Sequence, residues 1–159
     1  MKHLTRRFTA SAVLFSSLIC AGAVAEEAVS RKHAETAIEY RQSLFQLLKS
    51  NMAPLGGMAK GALPYDATVM ETNAMRIEQL ADMMADYLKV DTRKFDVSTG
   101  AKDDIWDNFS DVEDKIGALH TAASNLQSVA QAGDESAYRS AIGEVGAACK
   151  SCHDDYKKD

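Results

Sequence analysis

The sequence predicts an all-α fold, an antiparallel four-helix bundle. Three observations carry this. No stretch alternates apolar and polar residues as a strand would, four segments repeat apolar residues at steps of three and four, and one of them keeps heptad spacing. At 159 residues, 46% hydrophobic and 26% charged, the chain has the balance of one globular domain rather than of a disordered or membrane protein.

The first 25 residues read as an export signal and not as part of the bundle. Lys2, Arg6 and Arg7 make a basic start, the uncharged stretch "FTASAVLFSSLICAGAVA" follows, and Ala23-Val24-Ala25 is a small-x-small cleavage site. Cleavage after Ala25 leaves a domain of residues 26–159, expected in the periplasm. A membrane anchor is the competing reading, but the apolar run falls short of the roughly 20 residues a spanning helix needs. Cys20 follows the bulky "SLI" rather than two small residues, so it leaves with the signal instead of taking a lipid. The signal takes three of the 18 Lys and Arg and none of the 23 Asp and Glu, leaving a net charge of −8. Such a surface repels polyanions and excludes nucleic acid as a natural partner.

The first helix is predicted from Ala28 to Asn51, with Ala34, Ile38, Arg41, Phe45, Leu48 and Met52 on one face, and "APLGG" stopping it. The second starts after "GALPYD" with Asp66 as N-cap, and presents Val69, Asn73, Ile77, Leu80, Met84 and Leu88. A long loop, "KVDTRKFDVSTGAK", leads to a third helix near Asp103. Its residues Ile105, Phe109, Val112, Ile116, Leu119, Ala123, Leu126 and Ala130 form a heptad seam, the pattern of helices packed about 20° off parallel. Asp134 is placed to cap a fourth helix running to about Tyr156. Tyr138, Ile142, Val145, Cys149, Cys152, His153 and Tyr156 share one side of it, which turns the thiols and the imidazole toward the core. Four such helices with one long and two shorter connections give the bundle.

The chemistry is concentrated in "CKSCH", Cys149 to His153. A zinc site wants about four ligands, and the only other histidines beyond the signal, His33 and His120, lack ligand spacing to the pair. A thioredoxin-like dithiol needs a βαβ setting, and a disulfide between two turns of one helix would constrain almost nothing. Cys-x-x-Cys-His in an exported chain is instead the signal for covalent haem attachment. On a helix, residues three apart point the same way, so Cys149 and Cys152 can reach two vinyl groups on one porphyrin edge. His153 can then bind the iron from below as its axial ligand.

A haem motif near the end of a four-helix chain resembles the class II c-type cytochromes, specifically the cytochrome c′ family. The residues that carry the resemblance are "YRQSLFQLL" (Tyr40 to Leu48), "GALPYDA" (Gly61 to Ala67), "AKDDIW" (Ala101 to Trp106) and "VGAACKSCHDDYKK" (Val145 to Lys158). It implies one covalent haem c per chain, with Arg41 and Gln42 at the haem edge and Arg41 meeting a propionate. A guanidinium in an apolar stripe needs an anion, which favours the same role. The resemblance also places Phe45 over the open face of the haem. Lys157 stands beside the proximal imidazole, where many members carry arginine; lysine keeps the charge without the planar fork.

The function so implied is a periplasmic, redox-active haem protein with five-coordinate high-spin iron that binds nitric oxide and carbon monoxide. It would exchange electrons with an unidentified partner and form a homodimer through its first two helices, with Tyr40, Leu47 and Met70 available. The alternative is a low-spin electron carrier in which Met52, the one methionine on the haem-facing stripe, closes the sixth position. A haemless thiol protein is the third reading. An enzyme is not expected, because the stripe around Phe45 offers neither a distal histidine nor a paired acid. Trp106, Tyr138 and Tyr156 read as packing against core or porphyrin.

Overall fold

The computed structural model describes residues 25–158. All but one residue of the predicted export signal lie outside that range; Ala25 packs, partly buried, against the core. Four long helices form the body: α1 (Arg31–Ala59), α2 (Ala67–Leu88), α4 (Phe109–Ala132) and α5 (Tyr138–Tyr156), with a one-turn α3 (Asp104–Asp107) before α4. Helices α1 and α2, α2 and α4, α4 and α5, and α5 and α1 are neighbours, so chain order runs around a closed four-helix ring.

Each helix end has a physical cause. Ser30 caps α1 by accepting a hydrogen bond from the His33 amide at 3.1 Å, and Asp66 caps α2 by accepting from the Val69 amide at 3.0 Å. Gly61 (φ 74°) and Gly133 (φ 67°) take the left-handed conformation that closes α1 and α4, returning their amides to Met58 and Ala130. Gly133 leads directly into the loop where the sequence places a cap at Asp134. That aspartate does not cap α5: its carboxylate accepts from the amide and hydroxyl of Ser136 within the preceding turn, and α5 begins only at Tyr138.

Three further expectations are corrected. Helix α1 starts at Arg31, not Ala28, and runs through "APLGG" to Ala59. Pro54 costs the helix about 3 kcal/mol. Leu55 and Met58 lie beyond it at 0% and 3% exposure, and burying two such side chains, at about 1.5–3 kcal/mol each, offsets that cost. The buried face of α2 is Met70, Ala74, Ile77, Ala81, Met84 and Leu88, rotated from the predicted stripe because alanines that carry little periodic signal fill the close contact with α4. Met70 is fully buried and is therefore withdrawn from any dimer surface, whereas Tyr40 and Leu47 are each 54% exposed.

The predicted third helix is broken at Asn108 (φ −123°, ψ 37°), where Trp106 donates its indole N–H to the Leu88 carbonyl at 3.0 Å. The described residues also include two short strands that no alternation announced. Strand β1 (Glu26–Glu27) pairs in parallel with β2 (Val90–Asp91), Glu26 opposite Val90. Two residues are too few to show a period.

Candidate functional site

Helices α1 and α5 pack least closely of the four neighbouring pairs, and between them opens a cavity of about 590 Å³. Helix α1 supplies Arg41, Gln42, Phe45 and Met52 to its wall; α5 supplies Cys149, Cys152, His153 and Tyr156, with Lys157 just past its end. Every residue singled out from the sequence as a site residue thus lines one space. Further lining comes from Met84 on α2, from Lys115, Ile116 and Leu119 on α4, and from the 99–101 segment.

That segment is fastened to the end of α5. The Lys102 amide donates to the Tyr156 carbonyl and the Lys158 amide to the Gly100 carbonyl, both at 2.9 Å, and Ala101 bridges to Lys157. The long loop after β2 therefore forms a lip of the cavity.

The thiols of Cys149 and Cys152 are free and half-buried. Burial pushes both thiols up; at Cys152 the charge of Lys115 opposes it. His153 is exposed at the cavity edge rather than turned to the core. A helix advances about 100° per residue, so the residue directly after a half-buried cysteine points further around toward solvent. Below it, Tyr156 is buried and donates its hydroxyl to Asp111 at 2.6 Å, and burial, then this hydrogen bond, raises its pKa. Lys115 pairs with Asp155 at 2.8 Å and donates to Ser151 at 3.1 Å, tying α4 to the cysteine-bearing turn. Lys157 donates to the Lys158 carbonyl at 3.1 Å, and the structure shows no hydrogen bond from its ammonium to the His153 side chain.

Arg41 is the electrostatic anomaly of the site. It is 4% exposed, donates Nε to the Ala37 carbonyl (3.3 Å) and Nη2 to the Thr92 hydroxyl (3.5 Å), and rests 5.5 Å from the centre of the Trp106 ring. Its Nη1 is buried with no partner. Burial pushes the guanidinium down to about 10, against the opposing charge of Asp91. An unpaired cation in an apolar wall is costly unless an anion joins it, so the cavity is built to receive a largely apolar group with an acidic edge.

The match to known proteins agrees. Residues 36–157 fit the model of the family described as Cytochrome C′. The chain belongs to the cytochrome c′ family. It is 35% identical over 127 residues to cytochrome c′ of Halomonas halodenitrificans, covering 77% of this chain and 96% of that protein. Cytochrome c prime from Shewanella frigidimarina has the same fold, with a TM-score of 0.71 at 33% identity over 79% of this chain and 97% of that one. A ferrous variant of cytochrome c prime from Alcaligenes xylosoxidans with bound NO superposes at a TM-score of 0.69, with 32% identity over 79% and 96% of the two chains. As a cytochrome c′ family member, the protein is a haem c electron carrier on a four-helix bundle.

The residues present fit haem. Two thiols and an imidazole share a cavity whose volume lies within the roughly 300–1,000 Å³ of cofactor sites, and its wall includes Arg41, whose buried Nη1 has no partner and could pair with an acidic edge. Some of the wall was not expected from the sequence. Ile116 and Leu119 are read there as bundle seam and prove to be wall as well. Met84 shares the cavity with Met52, so Met52 is not the one methionine facing it. The heptad positions held the signal for these residues, but periodicity does not say whether a core face meets another helix or a cofactor. Lys115 and Gly100 carried no signal.

Proposed function

We propose that the chain is exported, cleaved after Ala25, and works in the periplasm as a five-coordinate, high-spin haem protein that binds nitric oxide and carbon monoxide and changes redox state. Cys149 and Cys152 would hold one haem through thioethers, and His153 would be its axial ligand. Arg41, with Gln42 beside it, would pair a propionate, Phe45 would cover the opposite face, and Lys157 would lie on the proximal side. The haem supplies an iron that cycles between two oxidation states and can take a small gas. One observation carries the reading: Cys149, Cys152, His153 and Arg41, a buried guanidinium with an unpartnered Nη1, are residues of a single cavity wall.

Phe45 has no lone pair to donate and no proton to offer; Ile38, Leu48 and Met52 line the α1 wall with it, beside the polar Arg41, Gln42, Gln46 and Lys49. A phenyl face over the iron would favour neutral gases over anions, which would have to leave water, and over dioxygen, which wants a hydrogen-bond donor. The relative with bound NO supports the gas assignment. Tyr40 and Leu47 on the outer face of α1 are what a homodimer would use. Among the described residues no helix is long and apolar enough to cross a membrane.

The low-spin reading keeps one support, since Met52 and Met84 both line the cavity. The absorption spectrum of the purified ferric protein separates the two. High-spin bands are expected, while low-spin bands with a methionine-to-iron feature would move the function to electron transfer alone. Mass spectrometry of denatured protein should show the chain from Glu26 plus one haem, and haem lost to acid–acetone extraction would sink the covalent assignment.

A further inference from the structure

Arg93 lies outside the cavity wall, on the carboxylate whose charge acts on Arg41. Through Nε and Nη2 it forms a fork on Asp91, at 3.0 and 2.7 Å to Oδ2, and Nη1 reaches Asp107 at 2.8 Å. Its own amide also donates to Asp91 Oδ1 at 2.9 Å. Asp91 directly precedes Thr92, the residue whose hydroxyl receives Arg41, and it is the acid whose charge acts on Arg41. Burial would push the Asp91 carboxyl up, but the hydrogen bonds and charge of Arg93, with the charge of Arg41, hold it below the usual carboxylate range. Although Asp91 acts on it, Arg41 makes no ion pair among the described residues.

Trp106 links the two cations. Arg41 and Arg93 stand 5.5 and 5.6 Å from its ring centre, and its indole is fixed on the Leu88 carbonyl. Each guanidinium is held by the ring quadrupole at a set place.

We propose that Arg93 is a positioning residue for the cofactor-binding cation: by clamping Asp91 with its fork and tying it to Asp107, it stops that carboxylate from closing on Arg41 and reserves the Arg41 guanidinium for a carboxylate of the bound haem. The proposal rests on the haem reading above. Its chemistry is competition between two carboxylates for one buried guanidinium, and the geometry of a planar fork decides it.

The test uses the haem-loaded protein and reads the reduction potential together with the propionate-bending band in resonance Raman spectra. Arg41→Ala should lower the potential, because an uncompensated propionate favours the ferric iron. Arg93→Gln releases Asp91 and should lower it in the same direction, with a matching shift of the propionate band; adding Asp91→Asn should restore both. Arg93→Lys keeps the charge but loses the fork, so a smaller shift of the same sign is expected. In an Arg41→Ala background, Arg93→Gln should change nothing further. Equal shifts with and without Arg41, or no shift on Arg93→Lys, would reduce Arg93 to a distant charge and overturn the proposal. A potential indifferent to Arg41→Ala would overturn it too. A protein that carries no covalent haem would fail earlier, at the mass spectrum, and would overturn the haem reading itself.

Discussion

The two sides of this bundle are made of the same kinds of residue and do opposite things. Where α2 meets α4, alanines at 74, 81, 123 and 130 let the helices approach, and Met70, Ile77, Val112 and Leu126 fill what remains to essentially zero exposure. Where α1 meets α5, Phe45, Met52, Cys149 and Cys152 stand apart across about 590 Å³. Both pairs are amphipathic at the same period. The difference lies in what each face closes against: one buries itself on protein, and the other is shaped for a group the chain does not encode. The solid half fixes the frame, and the open half can then keep an uncompensated cation at Arg41.

The most severe way to break this contrast is to deny the open half its occupant. An apolar cavity of about 590 Å³, at about 24 cal/mol per Å³, sets a ceiling of about 14 kcal/mol. Its opening to solvent lowers that figure, but the ceiling is comparable to the roughly 5–15 kcal/mol that holds a whole domain together. A Cys149→Ser/Cys152→Ser chain that retains no haem should therefore lose its cooperative melt, followed by circular dichroism at 222 nm. A haem-free variant melting like the loaded protein would show that α1 and α5 do not depend on the cofactor.

A finer cut compares one isoleucine from each half. Ile77 is fully buried between α2 and its neighbours, so Ile77→Ala in the loaded protein should cost about 2–5 kcal/mol in urea unfolding. Ile116 is only part-buried and faces the cavity, and Ile116→Ala should cost less than half of that. Equal losses would mean that the bound group packs Ile116 as tightly as protein packs Ile77.

How much of this was readable in advance follows the range of the interaction. The grouping of Cys149, Cys152 and His153 at one cavity is legible because the three lie within one and a half turns of one helix. Arg41 is legible because a charge in an apolar stripe is an anomaly on its face. The end of α1 misleads, since "APLGG" is a breaker by local propensity and only the distant burial of Leu55 and Met58 overrides it. Asp134 misleads likewise, because Ser136 takes its carboxylate first. The Arg93–Asp91–Asp107 network is invisible because it joins the end of β2, the loop after it and the end of α3, between residues up to 16 apart with no period to betray them.

The smallest effect on stability should accompany the clearest effect on function. Phe45 is 37% exposed on the α1 wall, so Phe45→Ala forfeits only part of the roughly 1.5–3 kcal/mol of a fully buried ring, and the unfolding free energy should fall by about 1 kcal/mol. Under the proposed gas-binding function, its place one turn beyond Arg41 would make it the side chain a gas passes on that wall. Swinging a packed ring off its rotamer costs about 0.5–1.5 kcal/mol, and removing a barrier of about 1.4 kcal/mol speeds a rate roughly tenfold. Carbon monoxide should therefore associate with the ferrous Phe45→Ala protein about ten times faster than with wild type in flash photolysis. Phe45→Leu, which keeps an apolar side chain of similar reach but a more compliant shape, should fall between. An association rate unchanged in both variants would remove Phe45 from the path and leave Met52 and Leu48 as the part of the α1 wall that controls entry.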